Sequence, residues 1–326
     1  IAPIDGTPAQ KAGIEAGDLI IKIDNNLVKG MNINDAIKKM RGERGSKITL
    51  TIVRERIIQP FDVTLTRDLI RVASVRSKML DPGYGYIRIA QFQSNTGEDF
   101  RKAIAKLDGE AKGKLNGIVV DLRNNPGGIL QSSVEVVDAL LDKGLIVYTK
   151  GRLPSSKSSF SASPGDIMHG APVVVLINGG SASASEIVAG ALQDHKRAII
   201  IGTDSFGKGS VQTVLPLPED RAIKLTTALY FTPNGRSIQA EGIVPDITVE
   251  RAKLARVKEN GAIKESDLSG HLNNANNVPS DTSSQKKPRD GESVLQEDDN
   301  QLYEALNLLK GIHLLTKSGA IKPKTT

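Results

Sequence analysis

Three serines stand at alternate positions, Ser181, Ser183 and Ser185, in the stretch VVVLINGGSASASEIVAGAL from Val173 to Leu192. A run of β-branched and apolar residues, a break at Gly179-Gly180 and a tail of small residues predict a strand, a tight turn and a helix start. Hydroxyls placed there meet the free N–H groups and positive dipole end of the helix. Such donors stabilise negative charge developing on an oxygen, which is what acyl transfer requires. A serine also needs a base to take its proton, so the search for that base decides what chemistry this stretch performs.

Two bases are available. Lys208 lies in IIIGTDSFGKGSVQ, at the end of an apolar strand and between glycines. A lysine drawn out of water gives up its proton more readily and then acts as a base; the ordinary alternative is a solvated loop lysine. His195, preceded by Asp194, supplies with a serine the residue types of a Ser-His-Asp triad. It sits further along the serine's own predicted helix, however, roughly 15 Å away by the helical rise. A surface His-Asp pair at a helix C-terminus is the plainer reading. Of the four histidines, His271 and His313 fall in the tail. Gly202 to Lys208 also reads G-x-x-x-x-G-K after a strand, as a phosphate loop does. The next residue is Gly209 where Ser or Thr is needed, and VQTVLPL alternates as a strand where a helix should open. Asp121 to Gly128, DLRNNPGG, ends a strand in a turn whose N–H groups either form an oxyanion hole or simply turn the chain. No histidine or carboxylate set has metal-ligand spacing, so no metal is expected.

Around these residues the chain from about 67 to 250 alternates strands and helices, the pattern of an α/β core. Strands are predicted at 85–89, 117–122, 146–149, 173–177, 198–201, 211–217 and 223–230, and helices at 96–107 and 134–141. GIVVDL, from Gly117 to Leu122, is apolar throughout, as in a sheet covered on both faces. PSSKSSFSASPG, from Pro154 to Gly165, is predicted to be a loop. Residues 1–66 read as a small, mostly β module. It has a short helix closing on Gly17, a strand and turn across Leu19–Val28, and a helix over Ile33–Met40 capped by Asn32 or Asn34. A hairpin of 48–53 with 61–65 completes it. Beyond Glu250 the residues from Asn273 to Asp299 are polar and low in apolar content, predicting disorder, and LYEALNLLKGIHLL at 302–315 predicts one short amphipathic helix.

Composition limits the alternatives. The 326 residues suit two or three domains, and 39% hydrophobic with 25% charged residues is ordinary for a globular protein. The net charge of +6 is scattered and aromatics are 3%, which argues against nucleic-acid binding. Cysteine is absent, excluding disulfides and thiolate chemistry. No apolar run approaches a membrane span. No secretory signal opens the chain and Ile1 falls inside an element, so the native N-terminus, with any signal or anchor, is expected to precede it.

The motif P-x-x-G-T-P-A-x-x-A-G-I-x-x-G-D, from Pro3 to Asp18, resembles the middle of a PDZ domain, a module that takes C-terminal peptides as an added strand beside a helix. That helix would be Ile33 to Arg41, with Ile33, Ile37 and Met40 as substrate-binding residues. The carboxylate-binding strand and loop would lie before Ile1. DLRNNPGG, GGSASASEIVAGALQD, GTDSFGKGSVQ and YFTPNGRSIQAEGIVPDI occur in the order and spacing of the carboxyl-terminal processing (tail-specific) serine peptidases, which carry an inserted PDZ domain. The resemblance runs from Ile1 to about Glu250. It implies a crotonase/Clp-like α/β core at 67–250, a PDZ domain at 1–66 and a variable tail at 251–326. It makes Ser183 the nucleophile, Lys208 the general base, and Gln212 the residue that holds the lysine. The amides of Ala184 and of Gly128, or alternatively Gly127, become the oxyanion hole, and Asp194 a structural carboxylate. It implies cleavage near protein C-termini through an acyl-enzyme, with no cofactor, protein or peptide substrates as partners, and a bacterial periplasmic or envelope setting. Membrane association through a preceding segment and homo-oligomerisation stay open. The alternative is a PDZ-containing binding or scaffold protein without activity.

Overall fold

The computed structural model describes residues 1–3, 6–55, 57–70, 73–113, 115–218, 221–252, 265, 268–272 and 299–318. Its first sheet is antiparallel, in the order β2-β1-β3-β4, from β1 (Leu19–Ile23), β2 (Asn26–Leu27), β3 (Lys47–Val53) and β4 (Phe61–Thr66). Strict alternation in β3 sends Ile48, Leu50 and Ile52 inward, where they meet Ile23, Val63 and Ala36. Ala36 belongs to α2 (Ile33–Met40), which Asn32 caps by accepting from the Asp35 amide at 2.9 Å. Helix α1 (Pro8–Lys11) is a single turn.

The central sheet has six strands. Its order is β14-β11-β10-β7-β6-β5, built from β5 (Val75–Asp81), β6 (Tyr84–Ile89), β7 (Gly117–Asp121), β10 (Val173–Ile177), β11 (Ala198–Gly202) and β14 (Ile247–Thr248). All neighbours are parallel except the edge pair β5–β6. Every residue of β7 and β10 is buried. Period-two alternation divides them: Ile118, Val120, Val173, Val175 and Ile177 face one core, and Val119, Val174 and Leu176 face another. Helices α3 (Thr96–Glu110), α4 (Leu130–Asp138) and α5 (Ala184–Asp194) fill the first side, bringing Phe100, Ile104, Leu107, Val137, Ile187 and Val188. A third, antiparallel sheet, β12-β13-β8-β9, lies beside them. It consists of β8 (Leu145–Gly151), β9 (Ser158–Ser161), β12 (Ser210–Leu217) and β13 (Arg221–Phe231).

The second side of the central sheet is closed from the far end of the chain. Helix α6 (Asn300–Lys317) is longer than the predicted 302–315, and lays Leu302, Ala305, Leu306 and Leu309 on Val119, Val174, Leu176 and Ile201. The expected tail helix is therefore part of the core, because a doubly apolar strand needs a cover on each face. Residues 273–298, for which disorder is predicted, lie outside the described residues. The polar stretch after Pro154, predicted to be a loop, instead holds a 3₁₀ turn (Pro154–Ser156) and β9. As an edge strand β9 keeps its serines wet and packs only Phe160 inward. Strand β5 had no predicted counterpart.

Leu306 is 1% exposed, so Leu306→Ala is expected to lower unfolding free energy by about 2–5 kcal/mol. Denaturant unfolding measures this, and a change below about 1 kcal/mol would mean that α6 is not packed as described.

Candidate active site

Strands β7, β10 and β11 end side by side, and the three loops that follow them meet there, where open α/β sheets place their sites. The β10–α5 turn carries the serines, and the fold distinguishes them. Ser181 and Ser185 are fully buried and used as ties: Ser181 Oγ donates to the Leu122 carbonyl at 2.8 Å and Ser185 Oγ to that of Asn125 at 2.9 Å. Ser183 alone of the three is part-exposed. It occupies the N-cap of α5 with φ 57° and ψ −111°, a left-handed conformation that costs a non-glycine residue about 1–3 kcal/mol and clusters at functional turns.

The side chain that holds this turn is Glu186, completely buried one turn into α5. Its Oε2 accepts the amide of Ser183 at 2.7 Å and that of Lys208 at 2.9 Å. Its Oε1 accepts the Gly207 amide and the Ser205 hydroxyl, each at 2.6 Å. Both backbones are thus fastened to one oxygen. The Phe206 amide adds a bond to the Ser181 carbonyl at 3.0 Å. The glycines around Lys208 are steric requirements. A Cβ on Gly209 would sit 2.4 Å from the Gln239 nitrogen, and Gly207 has φ +88° against Ala240 and Gly242. Lys208 is half-buried and makes no ion pair with any described residue.

The β7–α4 loop supplies the third side. A Cβ on Gly127 would meet the Ala182 carbonyl at 2.7 Å, Ser183 Cβ at 2.9 Å and the Ala184 nitrogen at 3.0 Å, so this loop lies directly on the serine turn. The Gly127 amide already donates to Asn125 Oδ1 at 2.9 Å. The amides of Gly128 and Ala184 donate to nothing among the described residues. Behind the loop, Asp121 is buried between Arg123 and Arg88. Burial alone would raise its carboxyl, but the charges of Arg123 and then Arg88 outweigh it and hold Asp121 far below the usual carboxylate range. Burial, followed by the Asp121 charge, pushes the Tyr86 phenol up, and its hydroxyl donates to Asp121 Oδ2 at 2.8 Å.

The other sequence candidates separate from this cluster. His195 caps the opposite end of α5, with Nε2 2.7 Å from the Leu145 carbonyl. Asp194 pairs with Arg236 at 2.6 Å and accepts the Asn234 amide, a structural use. The G-x-x-x-x-G-K stretch leads into β12, and its lysine amide is occupied by Glu186. Gln212 is exposed on β12 beside a bulge, and its side chain makes no hydrogen bond among the described residues, to Lys208 or otherwise. On α2, Ile33 and Ile37 are 73% and 38% exposed, whereas Met40 packs on the small sheet's own core. The N-terminal module lies close to the serine turn at Ala16: a Cβ on Gly180 would lie 3.1 Å from Ala16 Cβ.

Comparison with known proteins identifies the family. The family model for peptidase family S41 matches residues 83–249, and that for a PDZ domain matches residues 2–54. The chain belongs to peptidase family S41. It is a serine-type peptidase. The carboxy-terminal-processing protease of Bartonella bacilliformis is 48% identical over 314 residues, 95% of this chain and 71% of that protein. The carboxy-terminal processing protease of Bacillus subtilis is 37% identical over 79% of this chain. This chain spans only 54% of the Bacillus protein. The solved photosystem II D1 C-terminal processing protease aligns with TM-score 0.68 and 34% identity, over 76% of this chain and 67% of its own.

Glu186 escaped the sequence reading, although the S-x-x-E spacing from Ser183 is a capping-box signature that could have found it. In the peptidase, Glu186→Gln would turn an amide N–H₂ toward donors, so it is expected to cut cleavage of a protein substrate at least tenfold. Wild-type turnover by this variant would remove Glu186 from the site's support. Asp121→Asn leaves two buried guanidinium groups short of charge, and unfolding at neutral pH should become easier by about 3–5 kcal/mol. Because the folded carboxyl is depressed, its stabilisation is complete above the ordinary value of 3.8 and drains away as pH falls below it. The gap between wild type and variant in denaturant midpoint should therefore narrow in acid; a gap independent of pH would contradict the assignment.

Proposed function

We propose that this peptidase cleaves proteins near their C-termini by a serine–lysine mechanism, with Ser183 as nucleophile and Lys208 as general base. The observation that carries the reading is the Glu186 carboxylate, which takes the Ser183 and Lys208 amides on a single oxygen at 2.7 and 2.9 Å. Two residues 25 positions apart in the chain are thereby fixed beside each other at a strained, part-exposed turn. In the reaction, Ser183 Oγ attacks the peptide carbonyl carbon while neutral Lys208 takes its proton. The amides of Ala184 and Gly128, which have no acceptor among the described residues, face the developing oxyanion. Lys208 returns the proton to the departing amine, and the C–N bond breaks to leave an acyl-Ser183 ester. Lys208 then deprotonates the water that hydrolyses this ester, which restores the free hydroxyl. Gln212 would steady the lysine once substrate is bound.

The names of the relatives support action at C-termini. The PDZ match at residues 2–54 and the exposed Ile33 and Ile37 support capture of an apolar tail by α2. Contact between Ala16 and Gly180 joins that module to the serine turn. A periplasmic or envelope setting fits the cysteine-free chain.

Ser183→Ala and Lys208→Ala should each lower cleavage of an unfolded protein with an apolar C-terminus by at least about a thousandfold. His195→Ala should retain most of the activity. Activity surviving in Ser183→Ala would require a different nucleophile, and activity surviving in Lys208→Ala, or lost with the histidine, would require a different base.

A further inference from the structure

The DLR stretch and α6 are joined by a contact that spans 176 residues of chain. Arg123 has five N–H donors on its guanidinium, and every one is matched. Nε donates to Asp121 Oδ1 at 3.1 Å, and Nη2 to Asp121 Oδ2 and to Asp299 Oδ2, both at 2.7 Å. Nη1 donates to Asp299 Oδ1 at 2.8 Å and to Gln301 Oε1 at 2.9 Å. Three of the five partners therefore come from the N-terminal turn of α6. Charge follows the same division. Arg88 and Arg123 both pair with Asp121, and Asp299 adds a second negative charge on Arg123. Gln301 is itself pinned, donating from Nε2 to the Val249 carbonyl at 2.6 Å.

Arg123 stands five residues before Gly128, in the same loop that lies on the Ser183 turn. Its own amide donates to Asp121 Oδ1 at 2.9 Å, so one carboxylate oxygen holds both the guanidinium and the backbone of this residue. We propose that Asp299 and Gln301 are positioning residues of the peptidase, setting through Arg123 the placement of the 122–128 loop and its Gly128 amide. This rests on the reading of Gly128 and Ser183 given above. The segment of this chain outside the family-model match is thereby a working part of the site, acting at a distance from the reacting atoms.

The test uses the full chain carrying Asp299→Asn. Asparagine caps a helix as well as aspartate does, so the Leu302 amide that Asp299 accepts at 3.1 Å keeps its acceptor while Arg123 loses its counter-charge. Turnover of an unfolded protein substrate should fall about tenfold with KM within about twofold, the pattern for an interaction made in the transition state. Amide hydrogen exchange at residues 122–128 should quicken, and Gln301→Ala should reproduce both effects more weakly. Lys310→Gln, which breaks another α6 anchor, the 2.9 Å pair with Asp81, should change neither. Unchanged exchange and turnover in Asp299→Asn would overturn the proposal, as would a turnover loss matched by loss of folded protein in a melting curve. Failure of the catalytic reading shows separately, as cleavage surviving in Ser183→Ala. The exchange comparison would still decide whether α6 places the loop.

Discussion

A carboxylate sealed from water has to find a donor for each of its lone pairs or forfeit several kcal/mol. Glu186 meets that demand with four donors, taken from its own helix start and from the 205–208 segment. Much of the local architecture follows from this one requirement. The β10–α5 turn must bring its amide inward, which forces Ser183 into the left-handed region. The stretch after β11 must approach closely enough to offer two amides, and it lies at the same time against residues 238–242, which leave little room for a Cβ on either side of Lys208.

The central sheet supplies the frame in which that carboxylate can act. Parallel strands deliver their C-terminal ends to one edge, so three loops distant in sequence become neighbours without any long excursion. Ser181 and Ser185 then stitch the β10–α5 turn to the β7–α4 loop through the Leu122 and Asn125 carbonyls. The alternating serines thus divide by geometry: two face inward and bind backbone, and the one between them stays part-exposed.

Much of this was legible in the sequence, because it was written in local patterns. Continuous apolar runs announced β7 and β10, helical spacing gave α2 its observed bounds, and strand-glycine-helix punctuation marked the serine turn. Lys208 stood out since nothing about a helix surface could explain it. What stayed hidden was of two kinds. Strands β5 and β9 lie at sheet edges, where a polar, half-wet composition looks like loop. The grip of Arg123 on Asp299 and the seating of α6 depend on residues far apart in sequence, so no window of the chain contains both partners. The doubly apolar strands did announce a cover for their second face; they could not say that it would come from the last helix.

That late cover has a consequence for biosynthesis. A ribosome delivers the serine turn and the lysine segment more than ninety residues before it delivers α6. Until that helix emerges, Val119, Val174 and Leu176 have bare hydrocarbon on one side and Arg123 has Asp121 without Asp299. A nascent chain therefore holds Ser183 in an unfinished frame until synthesis has passed the helix that closes the sheet. For a hydrolase made among the cell's own unfolded polypeptides, such an order of assembly is a form of restraint.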